Sequence, residues 1–152
     1  MQARMRNPAL VVPAARQALL ALGAAVHDSS VPARTHELMH LRISQINGCG
    51  VCVDMHAKLA RKAGETDERL FAVAAWRDTP YFSEAERAAL ALAEAVTRIA
   101  DRPESVSDEL WKEAARHYDE PALASLLLSI SLINVWNRLN VAARVVAGTP
   151  WT

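Results

Sequence analysis

Apolar positions along this chain recur at intervals of three and four, not two. From Pro13 to Val26 they fall at Ala15, Leu19, Leu22 and Val26, a spacing that predicts a helix. The segment Asp28-Ser29-Ser30-Val31-Pro32 breaks that helix and starts another, which runs to about Ile46. Asn47-Gly48 is a strong turn signal. A third helix begins at or near Cys49 and ends at Gly64, a natural C-terminal cap. Thr66 caps a fourth through Leu70, Val73 and Trp76, which Asp78-Thr79-Pro80 stops. Ser83 and Glu86 have the spacing of a capping box for a fifth, with Leu90, Ala93 and Val96 on one side. Ser107 caps a sixth through Leu110, Trp111 and Ala114, and Pro121 opens the seventh and longest, ending near Gly148. No segment alternates as a strand does. The predicted fold is all-α, a single-domain helical bundle of about seven helices.

Composition supports that fold class and narrows the function. The 152 residues suit one domain, and 51% of them are hydrophobic, enough for a real core. Alanine and leucine are abundant, while glycine is limited to five residues. Lys plus Arg equals Asp plus Glu, 17 each, so no global field attracts nucleic acid or an anionic membrane. The most apolar run, Ala122 to Val135, is shorter than the roughly 20 residues that span a bilayer and carries serines and an asparagine. It reads as a buried helix. No signal core follows the N-terminus, because Pro13 and Arg16 interrupt the stretch, and the expected location is cytoplasmic.

One internal echo stands out. Leu41-Arg42-Ile43-Ser44-Gln45-Ile46-Asn47 matches Leu128-Ser129-Ile130-Ser131-Leu132-Ile133-Asn134 at five of seven positions. Chance among common helix residues is one explanation; two related helical units, of which only the first holds cysteines, is the other.

The chemistry concentrates in Asn47-Gly48-Cys49-Gly50-Val51-Cys52-Val53-Asp54-Met55-His56. On a helix, Cys52 and His56 lie on nearly the same face, with Cys49 one turn earlier. The first turn of a helix has unpaired N–H groups and the positive end of the dipole, which favour a thiolate over a thiol. Two cysteines this close form a reversible two-electron store, and a nearby imidazole can relay a proton. Glu37, twelve residues before Cys49, reaches His56 if the two helices pack antiparallel.

These residues carry a family resemblance. Glu37 through Leu41–Cys49 to His56, together with Ala63-Gly64-Glu65-Thr66, Ala74-Ala75-Trp76-Arg77 and the stretch from Asn134 to Asn140, resembles the alkylhydroperoxidase D-like branch of the carboxymuconolactone decarboxylase family. The resemblance covers residues 10–148, leaving 1–9 and 149–152 as terminal extensions. It implies a helical fold that assembles as a trimer or hexamer and a disulfide-cycling peroxidase. In that scheme Cys52 attacks the peroxide, Cys49, nearer the surface, resolves the sulfenic acid, and Glu37 with His56 relays the proton. The implied partners are a hydroperoxide substrate and an external dithiol or thiol-redox protein as reductant. One position departs from the pattern: the founding alkylhydroperoxidases carry a histidine just before the second cysteine, where this chain has Val51.

Two rival readings use the same residues. Cys49, Cys52, His56 and Glu37 could satisfy tetrahedral zinc, or the pair could oxidise without turnover as an oligomeric redox sensor. No nicotinamide or flavin motif appears, so no cofactor is expected, and no metal is assigned. His36 and His40, four apart around Glu37, could form a metal site with it but read as solvated helix residues, and His27 and His117 as isolated. Asp54 and Lys58 have the spacing of a helix ion pair. Trp76, Trp111, Trp136 and Trp151 read as core or interface anchors.

Overall fold

All seven expected helices form, and one extra turn precedes them. The computed structural model of the protein describes residues 1–148. In chain order the elements are α1 (Pro8–Val11), α2 (Pro13–His27), α3 (Ala33–Ile46), α4 (Gly50–Lys62), α5 (Asp67–Ala72), a 3-10 segment (Val73–Asp78), α6 (Glu84–Thr97), α7 (Asp108–His117) and α8 (Glu120–Ala143). No strand occurs among the described residues. A single turn such as α1 is too short to show periodicity. It is set by Pro8 and by Asn7, whose side-chain oxygen accepts from the Ala9 N–H.

The local signals act as predicted. Ser83 Oγ accepts from the Glu86 N–H at 3.2 Å while Glu86 Oε2 accepts from the Ser83 N–H at 2.8 Å. Thr66 and Ser107 cap α5 and α7 through their hydroxyls. Gly48 and Gly64 take left-handed backbone, with φ of +67° and +93°, which a side chain would strain. Asp54 pairs with Lys58 at 2.7 Å.

Two boundaries differ from expectation. The fourth helix keeps α geometry only to Ala72, then tightens and breaks at Ala75 (φ −123°, ψ 34°). The break brings Trp76 into the core, where its indole N–H donates to Glu94 Oε1 at 3.1 Å. Glu94 also accepts from Arg42 at 2.6 Å and Arg77 at 2.5 Å. Burial pushes its carboxyl upward, but the bonds from Arg77 and Arg42 outweigh that and hold it below the usual range. The seventh expected helix, α8, ends at Ala143 instead of near Gly148. Arg144 turns left-handed (φ 53°), and the Val145 N–H donates back to the Asn140 carbonyl at 3.0 Å. Val145 then packs against the cluster of Cys49, Val51 and Cys52, a contact that offsets the roughly 1–2 kcal/mol penalty of a left-handed non-glycine residue.

α3 is the central element. It packs against α4, α6, α8 and the 3-10 segment, and eight of its fourteen residues are buried. α8 crosses it and also supports α2 and α6. Its 24 residues are long and apolar enough to cross a bilayer by length and composition, more than the run Ala122 to Val135 suggested. Here it forms part of the core: Leu126, Ile130 and Ile133 join Leu38, Leu41 and Leu90 in the main apolar cluster. α2 is the least covered of the long helices. Of its expected apolar face only Val26 is buried, and Ala15 is exposed.

The expectation that His36 and His40 are solvated is overturned. Both are buried, because α8 covers that side of α3. They share one hydroxyl: Ser129 Oγ lies 2.9 Å from His36 Nδ1 and 2.7 Å from His40 Nε2. A hydroxyl can donate to one ring and accept from the other, which suits two neutral imidazoles. His27 is not isolated either; its ring centroid lies 4.9 Å from that of His36 and 6.2 Å from that of His40. His117 is partnered too: its Nε2–H donates to Glu113 Oε1 at 3.0 Å. Burial first, and His27 second, pushes His36 down to about 4. Burial, with His56, His36 and His27 behind it, holds His40 well below its ordinary value.

These depressed values tie stability to pH. In the unfolded chain the two rings protonate as pH falls below about 6.5, whereas in the fold His36 stays neutral down to about 4. The unfolded state therefore binds more protons across that interval, and stability present above pH 6.5 is lost as pH falls towards 4. Urea titrations should show the unfolding midpoint dropping across this range. His36→Asn, which keeps a polar atom near Nδ1 and does not titrate, should flatten part of the drop. Equal midpoints for the parent at both ends of the interval would contradict the assignment.

Candidate active site

The chain reverses between α3 and α4 at Asn47-Gly48, and the Cys49 N–H donates to the Ser44 carbonyl at 2.9 Å to close the corner. Cys49 is the N-cap of α4 and Cys52 its third residue, so both sit where unpaired N–H groups converge. They are joined as a disulfide, with Cα atoms 5.3 Å apart. Both are buried, at 1% and 0% exposure. They differ in access: Cys49 lines a cavity of about 770 Å³ together with Gly50, Val51, Asn140, Val141 and Val145, and Cys52 does not.

The antiparallel α3–α4 hairpin brings Glu37 to His56. Glu37 Oε2 lies 2.7 Å from His56 Nδ1, and both side chains are largely buried. A carboxylate at that distance accepts the Nδ1 proton, which leaves Nε2 as the basic nitrogen. His56 Nε2 is buried and has no hydrogen-bond partner among the described residues. Cys52 stands one turn earlier on the same helix, a placement in which side chains are neighbours. A second cavity, of about 320 Å³, is lined by Glu37, His40 and His56 at a polar end and by Leu20, Leu132 and Trp136 among its apolar walls.

One atom each from Glu37, His40 and His56 lies within 4.8 Å of the others, two imidazoles and a carboxylate that could converge on a cation. The sequence spacing offered His40 with His36 and Glu37; the structure groups it with Glu37 and His56 instead. Cys49 and Cys52, expected as further ligands in the zinc reading, are joined to each other, so neither offers a thiolate in this state.

α8 contributes a row that sequence reasoning left unassigned. Asn134, Asn137 and Asn140 are buried at three-residue spacing. Asn47 Nδ2 donates to Asn134 Oδ1 and to Asn137 Oδ1, each at 2.9 Å. Asn137 Nδ2 donates to Ser44 Oγ at 3.1 Å, and Asn140 Nδ2 to Cys52 Sγ at 3.3 Å. The two echo segments thus pack together and pair through their final asparagines. The missed signal was compositional: asparagine is a poor helix former, and three on one face of an apolar helix need partners inside. Of the tryptophans, Trp76 is a core residue, Trp136 packs against the core and lines the smaller cavity, and Trp111 is exposed. Trp151 lies outside the described residues.

Comparison with known proteins agrees with this geometry. Residues 13–95 match the profile of the carboxymuconolactone decarboxylase family. The uncharacterized protein YdfG of Bacillus subtilis (strain 168) is 44% identical over 115 residues, covering 76% of this chain and 77% of that protein. The alkyl hydroperoxide reductase AhpD of Methylocella silvestris is 44% identical over a shorter stretch of 43 residues, 28% of this chain and 24% of that one. Among solved structures, ATU0492 of Agrobacterium tumefaciens, a protein of unknown function suggested to be an AhpD antioxidant-defence protein, superposes with a TM-score of 0.89 at 34% identity, covering 98% of this chain and 100% of its own. The debrominase Bmp8 shares the fold alone, with a TM-score of 0.79 at 24% identity over 90% of this chain and 73% of its own. With a family profile across more than half its length and a helical fold that matches throughout, the chain belongs to the carboxymuconolactone decarboxylase family, in its alkylhydroperoxidase D-like branch.

Proposed function

We propose that this protein is a thiol–disulfide redox enzyme that reduces hydroperoxides through Cys49 and Cys52, with Glu37 and His56 moving the proton. The observation that carries the reading is the 2.7 Å bond between Glu37 and His56, one helical turn from a buried cysteine pair at a helix start. Glu37 holds the Nδ1 proton, so His56 Nε2 takes the proton of the Cys52 thiol. The Cys52 thiolate attacks the terminal peroxide oxygen, the O–O bond breaks, and Cys52 becomes a sulfenic acid. The departing alkoxide recovers the proton from His56. Cys49 then displaces the sulfenic hydroxyl, forming the disulfide and releasing water. An external dithiol or thiol-redox protein returns the two electrons. Peroxide and dithiol thus give alcohol, water and a disulfide, with no further cofactor. Such cycling needs a reducing pool, so a cytoplasmic location goes with this reading.

Assembly belongs to the same reading. Leu128 and Val135, seven residues apart on one face of α8, are exposed, as are Val141 nearer its end and Leu20 on the thinly covered α2. A trimer or hexamer of the chain would cover these faces.

With excess dithiol and an organic hydroperoxide the protein should turn over, and Cys49→Ser or Cys52→Ser should abolish it. Mild peroxide treatment should yield an intramolecular Cys49–Cys52 disulfide; mass spectrometry finding two free thiols would count against the scheme. Because a debrominase shares this fold, a brominated pyrrole is the comparison substrate.

Glu37→Gln keeps the shape and removes the charge. It should slow both Cys52 alkylation and peroxide turnover at neutral pH by about 10²–10⁴-fold, the range of general-base assistance. The deficit should shrink as pH rises, since hydroxide then does the same work. A variant matching the parent in both rates would remove Glu37 from the mechanism.

Light scattering at micromolar concentration should return a mass three or six times that of the chain. A monomer mass would refute the assembly.

A further inference from the structure

We infer that Asn140 is a further functional residue: its side-chain amide donates to the Cys52 sulfur and favours the thiolate there, with Asn7 setting the direction in which that amide points. The inference rests on the redox reading above and deepens it.

Asn140 lies 3.3 Å from Cys52 Sγ. An amide can present nitrogen or oxygen by a half-turn of its side chain, so the facing atom has to be derived from its neighbours. Here a backbone group decides. The Ala9 N–H, in the first turn of α1, can only donate, and it meets the Asn7 side chain at 2.8 Å. Asn7 therefore gives its oxygen to Ala9 and its NH₂ to Asn140, at 2.6 Å. Asn140 must accept with Oδ1, which leaves its own NH₂ facing Cys52. Both asparagines are buried, which keeps either amide from swinging out to solvent.

This donor separates the two cysteines. Among the described residues no side chain donates to Cys49 Sγ, whereas Cys52 has Asn140. A hydrogen bond stabilises a thiolate more than a thiol, because the acceptor is charged. Val51 brings no donor between the cysteines; α8 supplies one from across the core.

The same N–H serves both halves of the cycle. In the oxidative half Cys52 is the nucleophile. In the reductive half a dithiol thiolate attacks Cys49 Sγ, which lines the larger cavity, and the S–S bond breaks. Cys52 leaves as thiolate with the bonding pair, again facing Asn140. The second thiol of the dithiol then displaces Cys49 from the mixed disulfide. A better-stabilised leaving thiolate departs faster.

The test titrates Cys52 alone, in reduced protein carrying Cys49→Ser, by the pH dependence of iodoacetamide alkylation. Asn140→Leu, with the same heavy-atom branching but no donor, should raise the midpoint by about one unit, or about tenfold slower alkylation below it. Asn140→Asp, which turns an acceptor to the sulfur, should raise it further. Asn7→Ala leaves Asn140 in place with its amide free to turn and should fall between the parent and Asn140→Leu. With both cysteines present, dithiothreitol should reduce the Asn140→Leu disulfide more slowly than the parent's. If the Asn140 variants do not fold, the parent still answers: the Asn140 side-chain amide NMR signals should move with the Cys52 titration in reduced protein. An Asn140→Leu midpoint equal to the parent's, or amide signals that stay still, would overturn the inference. No readout here uses peroxide. A shifted midpoint without peroxide turnover keeps Asn140 and sinks the peroxidase reading; turnover with an unshifted midpoint does the reverse.

Discussion

Buried amides along α8 fix the corner at which α4 begins, and the geometry of the cysteine site depends on that corner. Asn134, Asn137 and Asn140 each give up water, and each finds a partner: Asn47 at the turn, Ser44 on α3 and Cys52 on α4. An unsatisfied buried amide costs about 1–3 kcal/mol, so sliding α8 by one turn against the hairpin would leave several such penalties unpaid at once. Apolar packing alone tolerates small slips, because one leucine contact is much like another. The asparagines turn a permissive interface into one with a single register. With α3 and α4 held there, Glu37 and His56 face each other at hydrogen-bonding distance.

Helix positions were legible because caps and turns are local. Ser83 with Glu86, Thr66, Ser107, Gly48 and Gly64 act within a few residues of themselves, and their structures follow from sequence. The cysteine pair at a helix start was legible for the same reason, as was a hairpin able to carry Glu37 to His56. What was not legible is non-local. His36 and His40 share a helix face with nothing that marks them as buried; Ser129, ninety or so residues away, supplies the partner. Ending α8 at Ala143 required knowing that Val145 would find the cysteine cluster. Asn7 and Asn140 are 133 positions apart, and no spacing rule connects them.

The proposed relay asks for one base, and four histidines lie near the smaller cavity. His27, His36, His40 and His56 form a continuous run of ring contacts. If His40, 4.8 Å from His56 between ring centroids, were charged, it would compete for the Glu37 carboxylate and repel a protonated His56. Burial prevents this. His40 is held well below its ordinary value and His36 at about 4, both bonded to the one hydroxyl of Ser129. At neutral pH they are uncharged, and His56 is the ring with the carboxylate on its Nδ1. The same desolvation that makes the two core histidines an acid liability thus leaves the negative charge of Glu37 to a single imidazole, the one a helical turn from Cys52.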